Sequence, residues 1–234
     1  DYYLEIAPNV DAALMTLICV VLDEKASCEG SVHVVQEISL TAQLHPVVAF
    51  DLHHYPEVFL TLKENDKIFQ SGRVYLDVDT GHERFRIRFG GLSPYITLQD
   101  SGKVAIGNYR YKVALKSTLI VRPGDSREKD GIFEVSARYF RNGTEQSLVQ
   151  FSDRLTGDPC VLSVDANWCS RQVPFYLDRG RTGERELVAM MHIPQGAATC
   201  LGYHLTVVPN MDAALIVMVC SILDDAMLKM GHYL

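Results

Sequence analysis

Residues 209–228 read PNMDAALIVMVCSILDDAML, and this stretch decides the architecture. Asn210, after a proline, is a favourable N-cap, and Asp212 places a carboxylate in the first turn, where the helix dipole favours it. From Ala213 to Leu223 every residue except Ser221 is apolar. At 3.6 residues per turn no polar stripe survives, so Leu215, Ile216, Val217, Met218, Val219, Ile222 and Leu223 point in all directions around the axis. Such a helix must be enclosed on every side. The run is well short of the roughly 20 residues that cross a bilayer. It therefore predicts a core helix, 210–228, inside a shell of protein rather than a membrane span.

The preceding residues can supply that shell. From Glu57 the pattern turns to period two, with turn signals every eight to twelve residues. Candidate strands are 58–63, 73–77, 84–89, 95–99, 103–106, 109–116, 119–121, 132–140, 145–151, 160–164, 171–176, 186–192 and 203–208. Turns fall at Asp79-Thr80-Gly81, Asp100-Ser101-Gly102, Asn142-Gly143, Thr156-Gly157-Asp158 and Arg179–Gly183. All are rich in residues that tolerate the left-handed region. The expected fold is mainly β: a closed antiparallel barrel of about twelve strands around the apolar C-terminal helix. Closure removes sheet edges, and the helix fills a bore too wide for strand side chains.

A shift of 201 positions aligns residues 2–25 with 203–226 at eleven identities, including Pro8-Asn9, Asp11–Leu14, Cys19 and Leu22-Asp23. Both copies carry a short strand, Pro-Asn and an apolar helix. Residues 1–25 are thus expected to be the end of a preceding, truncated barrel. Its orphan helix, 12–22, would seek a partner or self-associate. Residues 26–56 read as a linker, with short strands or an extended tether at 34–40 and 46–50, and 57–234 as the barrel domain.

The composition narrows the function. The formal charge is −7 over 234 residues, which argues against a dedicated nucleic-acid binder. The six cysteines form no CxxC pair and no metal spacing, as expected of buried free thiols in a reducing compartment. His45, His53 and His54 lack a fourth ligand at a suitable spacing. Asp77, Asp79 and Glu83 around Gly81 read as a hairpin turn more readily than as a calcium loop, because positions five and twelve of that loop are Gly81 and Arg88. There is no Gly-x-Ser-x-Gly, P-loop or His-Glu-x-x-His. Trp168, beside Cys169 and Ser170, reads as a core or rim residue. No enzymatic activity, metal or cofactor is expected.

The chemical feature that stands out is Arg84, Arg86 and Arg88, which alternation places on one face of a strand. Arg110 and Lys112 repeat the arrangement two strands on. Arginine forks match phosphate geometry, so this face is a candidate site for an anionic lipid head group; the alternative is a solvated barrel exterior. Asp224 and Asp225, near the end of the helix, either meet a basic partner or emerge into water.

The Tyr203–Asp225 motif, its partial copy at Tyr2–Glu24, the paired segments Arg73–Asp77 and Arg84–Phe89, Val164–Trp168 and Ala189–His192 resemble the LURP-one-related family. That family sits in the tubby-like C-terminal superfamily, whose cousins include the phospholipid scramblases. The resemblance implies a twelve-stranded barrel around a central helix, in a cytoplasmic or peripheral membrane protein. It further implies phosphoinositide binding in tubby-type members, calcium and lipid movement in scramblases, and a stress or defence role in LURP-one-related proteins. A protein-interaction scaffold without a lipid role is the alternative function.

Enclosure of the helix has a direct test. Val217→Asp buries an unpaired charge and should abolish soluble, cooperatively folded protein, read by expression and circular dichroism.

Overall fold

The computed structural model describes residues 45–51, 53–55, 60–65, 72–90, 94–110, 118–128, 130–139, 144–167, 172–192 and 203–230. The chain divides into units 1–38 and 39–234, and all described residues lie in the second. The proposed repeat copy at 1–25, most of the 26–56 stretch, Lys112, Asn142-Gly143 and Trp168–Ser170 lie outside the described residues.

Twelve strands run in chain order: β1 Leu60–Asn65, β2 Gly72–Asp77, β3 Glu83–Phe89, β4 Tyr95–Asp100, β5 Ala105–Arg110 and β6 Leu119–Pro123. They continue as β7 Phe133–Tyr139, β8 Thr144–Ser152, β9 Pro159–Asn167, β10 Gln172–Arg179, β11 Glu186–His192 and β12 His204–Val207. Each pairs antiparallel with its sequence neighbour, and β1 pairs with both β2 and β12, which makes a closed barrel. Alternation is visible in the burial of β2, β4 and β10, where every second residue is buried.

Helix α1, Ala213–Met230, occupies the bore. Every residue from Met211 to Asp225 is buried, and Leu215 to Cys220 are fully inaccessible. Tyr75, Phe85, Ile87, Leu98, Leu162, Phe175 and Leu205 line the facing wall. Each buried side chain of this size is worth about 1.5–3 kcal/mol. Cys160 and Cys220 are buried and not joined in a disulfide.

Four sequence expectations change, three of them in the barrel and its helix. The segments 103–106 and 109–116 were expected as separate strands, but β5 runs unbroken through Gly107. A Cβ on Gly107 would lie 2.5 Å from the Phe50 ring, so the glycine makes room for that ring rather than for a turn. Asn210 is not the N-cap. It sits at φ 64°, and the cap is Asp212, whose Oδ1 accepts the amides of Ala214 (3.0 Å) and Leu215 (3.3 Å). Finally, α1 continues to Met230, so Asp224 and Asp225 precede the last turn, where the dipole acts on them less.

The described part of the stretch read as a linker belongs to the core. Val47, Val48, Ala49 and Phe50 are at most 1% exposed. They form a strap across the barrel mouth at the N-terminus of α1. Asp212 Oδ2 accepts the amides of Ala49 (3.1 Å) and Phe50 (2.7 Å), so one buried carboxylate caps the helix and holds the strap.

Two hairpins at this end share one turn. In 77–81 and 153–157, both Asp-x-x-Thr-Gly, the aspartate Oδ1 accepts the amides two and three residues on. In each, the glycine amide returns to the aspartate carbonyl at 2.8 Å, and the glycine has positive φ. The calcium reading of Asp77 gives way to this turn.

Asp212→Asn turns a donating NH₂ toward amide N–H groups. At pH 8, where the carboxyl is ionised, urea unfolding should show a loss of about 2–3 kcal/mol.

Candidate functional site

The outward face of β3 carries the predicted arginines, in different states. Phe85 and Ile87 point inward and are buried, Arg84 and Arg86 are half-buried, and Arg88 is exposed. Arg84 donates Nε (3.0 Å) and Nη2 (2.7 Å) to Asp77 Oδ2, and its guanidinium lies 5.4 Å from the centroid of the Tyr55 ring. Arg86 forms a two-pronged pair with Glu83, at 2.8 Å and 2.6 Å. The Asp77 and Glu83 carboxylates hold both guanidiniums above their ordinary pKa, against burial. For Asp77, burial opposes ionisation, but Arg84 and the Thr80 amide outweigh it and lower its pKa.

Arg88 and Arg110 are exposed and carry no ion pair among the described residues. Arg110 stands opposite Tyr95 in the register, and Arg88 opposite Thr97. The loop after β6 folds back over this face. Asn108 donates to the carbonyls of Gly124 and Ser126, both at 2.9 Å, and Arg127 stacks on Tyr95 at 4.8 Å. Arg88, Arg110 and Arg127 therefore make the uncompensated basic area. Sequence reasoning missed Arg127, because nothing local predicts that its loop lies on β4 and β5.

Inside the barrel, the same end holds a buried charge cluster. Arg73 meets Asp224 at 2.9 Å and Asp225 at 3.8 Å. Tyr203 donates to Asp224 at 2.9 Å and shares a 2.8 Å hydrogen bond with Tyr75. Tyr109 donates to Asp225 and also meets Ser221 at 3.1 Å. Burial, then the Asp225 charge, push the Tyr109 hydroxyl well above its ordinary pKa, so it stays a donor. The two aspartates thus have a basic partner and do not emerge into water.

At the opposite end, beside the strap, lies an open pocket of about 390 Å³. Its polar lining includes Asp51, His53, Asp100, Asp125 and Arg154. Burial lowers the His53 pKa against the pull of Asp100 and Asp51. Burial likewise pushes Asp212 up to about 7, opposed by the amides it accepts. His54 bridges to Asp212 through the backbone. No group of three metal-ligating side chains occurs among the described residues.

The fold and its contents define a class: an antiparallel barrel closed around one apolar helix. Residues 58–224 match the family described as LURP-one-related, and the chain belongs to that family. A crystal structure of a protein from Arabidopsis thaliana is similar, with TM-score 0.56 and 23% identity over 76% of this chain and 97% of that one. At that identity the likeness speaks for the fold. No curated protein matches the chain. Among the described residues, no helix is long and apolar enough to cross a membrane.

The charge cluster has a clear expectation. Arg73→Met leaves two buried carboxylates without their cation and should cost about 3–5 kcal/mol at pH 7.5 in chemical unfolding. Without the Arg73 cation, these buried carboxyls bind protons more tightly folded than unfolded. The loss should therefore shrink as pH falls toward 5.

Proposed function

We propose that the barrel is a non-enzymatic, tubby-like module that binds anionic lipid head groups at a membrane surface. The observation that carries this reading is the pair of exposed, uncompensated guanidiniums, Arg88 and Arg110, on one outer face, with Arg127 beside them. A guanidinium fork matches a phosphate group, and a flat membrane reaches an outer wall that a bore-filling helix leaves as the working surface. Family membership supports a lipid-binding type of domain. Arg84 and Arg86 contribute less than their position suggests, since carboxylates already occupy their forks. The protein acts from the cytoplasm as a peripheral partner of the membrane, without a cofactor.

Vesicle flotation of the full chain tests the reading, with neutral and phosphoinositide-bearing vesicles at low and physiological salt. Binding should require the anionic lipid and weaken with salt. A basic residue near an anionic surface is worth about 1 kcal/mol, so Arg88→Ala with Arg110→Ala should weaken binding roughly thirtyfold, and Arg84→Ala should weaken it less. Salt-independent binding to neutral vesicles, or no binding, would sink the lipid reading and favour a protein-interaction scaffold.

A further inference from the structure

The strap, described at residues 45–51 and 53–55, is not a strand of the barrel. It forms two isolated bridges, Val47 to Met211 and His54 to Asp212, with the segment that leads into α1, while the ring of strands closes without it. The family match begins at residue 58, beyond it. Yet Val47 to Phe50 are as buried as α1.

Its contacts are those of an extended peptide in a groove. Most are main-chain bonds indifferent to side chains: Val47 N to Asn210 O (2.9 Å), Asp212 N to Val47 O (3.0 Å), Arg154 N to Val48 O (2.9 Å) and Ala213 N to His53 O (2.9 Å). Asp212 adds a carboxylate that receives two consecutive amides. One socket reads a side chain. The Phe50 ring lies against Gly107 and meets Phe133 edge-on, with centroids 5.7 Å apart.

On the outside, three arginines from different hairpins clamp the strap. Arg84 covers Tyr55, Arg154 pairs with Asp51 at 2.9 Å, and Arg179 donates to the His45 carbonyl at 2.6 Å. The Asp51 side chain is 91% exposed, so that clamp is weak and screened by salt. The inner anchors are what hold the strap.

We propose that the barrel mouth at the N-terminus of α1 is a peptide-accepting groove, specific for an extended apolar segment with an aromatic residue fourth. Residues 45–55, carrying Val-Val-Ala-Phe at 47–50, are its built-in occupant and are detachable from a barrel that folds around α1 without them. This is main-chain recognition at a sheet opening with one side-chain pocket, a known way for folded domains to take extended peptides. It does not rest on the lipid reading.

The test inserts a site-specific protease sequence between the strap and β1 of the full chain, cuts it, and adds a fluorescent peptide of residues 45–55. The cut protein should keep its circular dichroism spectrum and melt cooperatively at a lower temperature. The peptide should exchange into it, seen as a rise in anisotropy, and the Phe50→Ala peptide should bind at least tenfold more weakly. Loss of the fold on cutting would overturn the proposal. So would a failure of the peptide to bind, or equal binding of the two peptides.

Discussion

A helix apolar around its whole circumference leaves the chain one way to stay in water, which is to build a wall on every side of it. The twelve-stranded ring answers that demand, and the other features follow from the answer. A sheet closed on a helix has no free edges to pair with other chains. The helix occupies the bore, so the wall and the two ends are the surfaces a partner meets first. Those ends are unlike. At the C-terminal part of the helix, polar residues turn inward as a buried charge cluster. At its N-terminus, a single carboxylate ties helix and strap together.

Burying Asp212, Asp224 and Asp225 is expensive unless each is partnered. The partners come from far along the chain: Ala49 and Phe50 for the first, Arg73 and Tyr109 for the others. These contacts bridge more than a hundred residues, so the helix is fixed in register as well as enclosed. Apolar packing alone would permit it to slide or rotate in a smooth bore; the amide-bound Asp212 carboxylate at one end and the Arg73 ion pairs at the other do not.

Much of this was legible in the residues. The apolar run, the period-two segments and the Gly- and Asp-rich turns are local signals, and they placed the helix, most strands and most turns close to where they stand. What stayed hidden depends on contact at a distance. Asn210 reads as a cap because it follows proline, but the cap is set by which side chain accepts the first amides of the helix, and that is Asp212. The Val47–Phe50 run looks like any short apolar tether until Gly107 is seen beneath Phe50. Alternation put Arg84, Arg86 and Arg88 on one face correctly, yet could not show that Asp77 and Glu83 occupy two of them. Arg127 joins that face through a loop fold that no spacing encodes.

The two Asp-x-x-Thr-Gly turns, at 77–81 and 153–157, join strands β2 to β3 and β8 to β9. Six steps separate them around a ring of twelve, so they stand on opposite sides of the barrel. The helix between them is a single chiral rod. Each half of the wall therefore meets a different side of the same helix. Two residues before each aspartate the inward side chain is a buried aromatic, Tyr75 in one turn and Phe151 in the other. Like turns on opposite sides of the ring thus meet unlike sides of one helix.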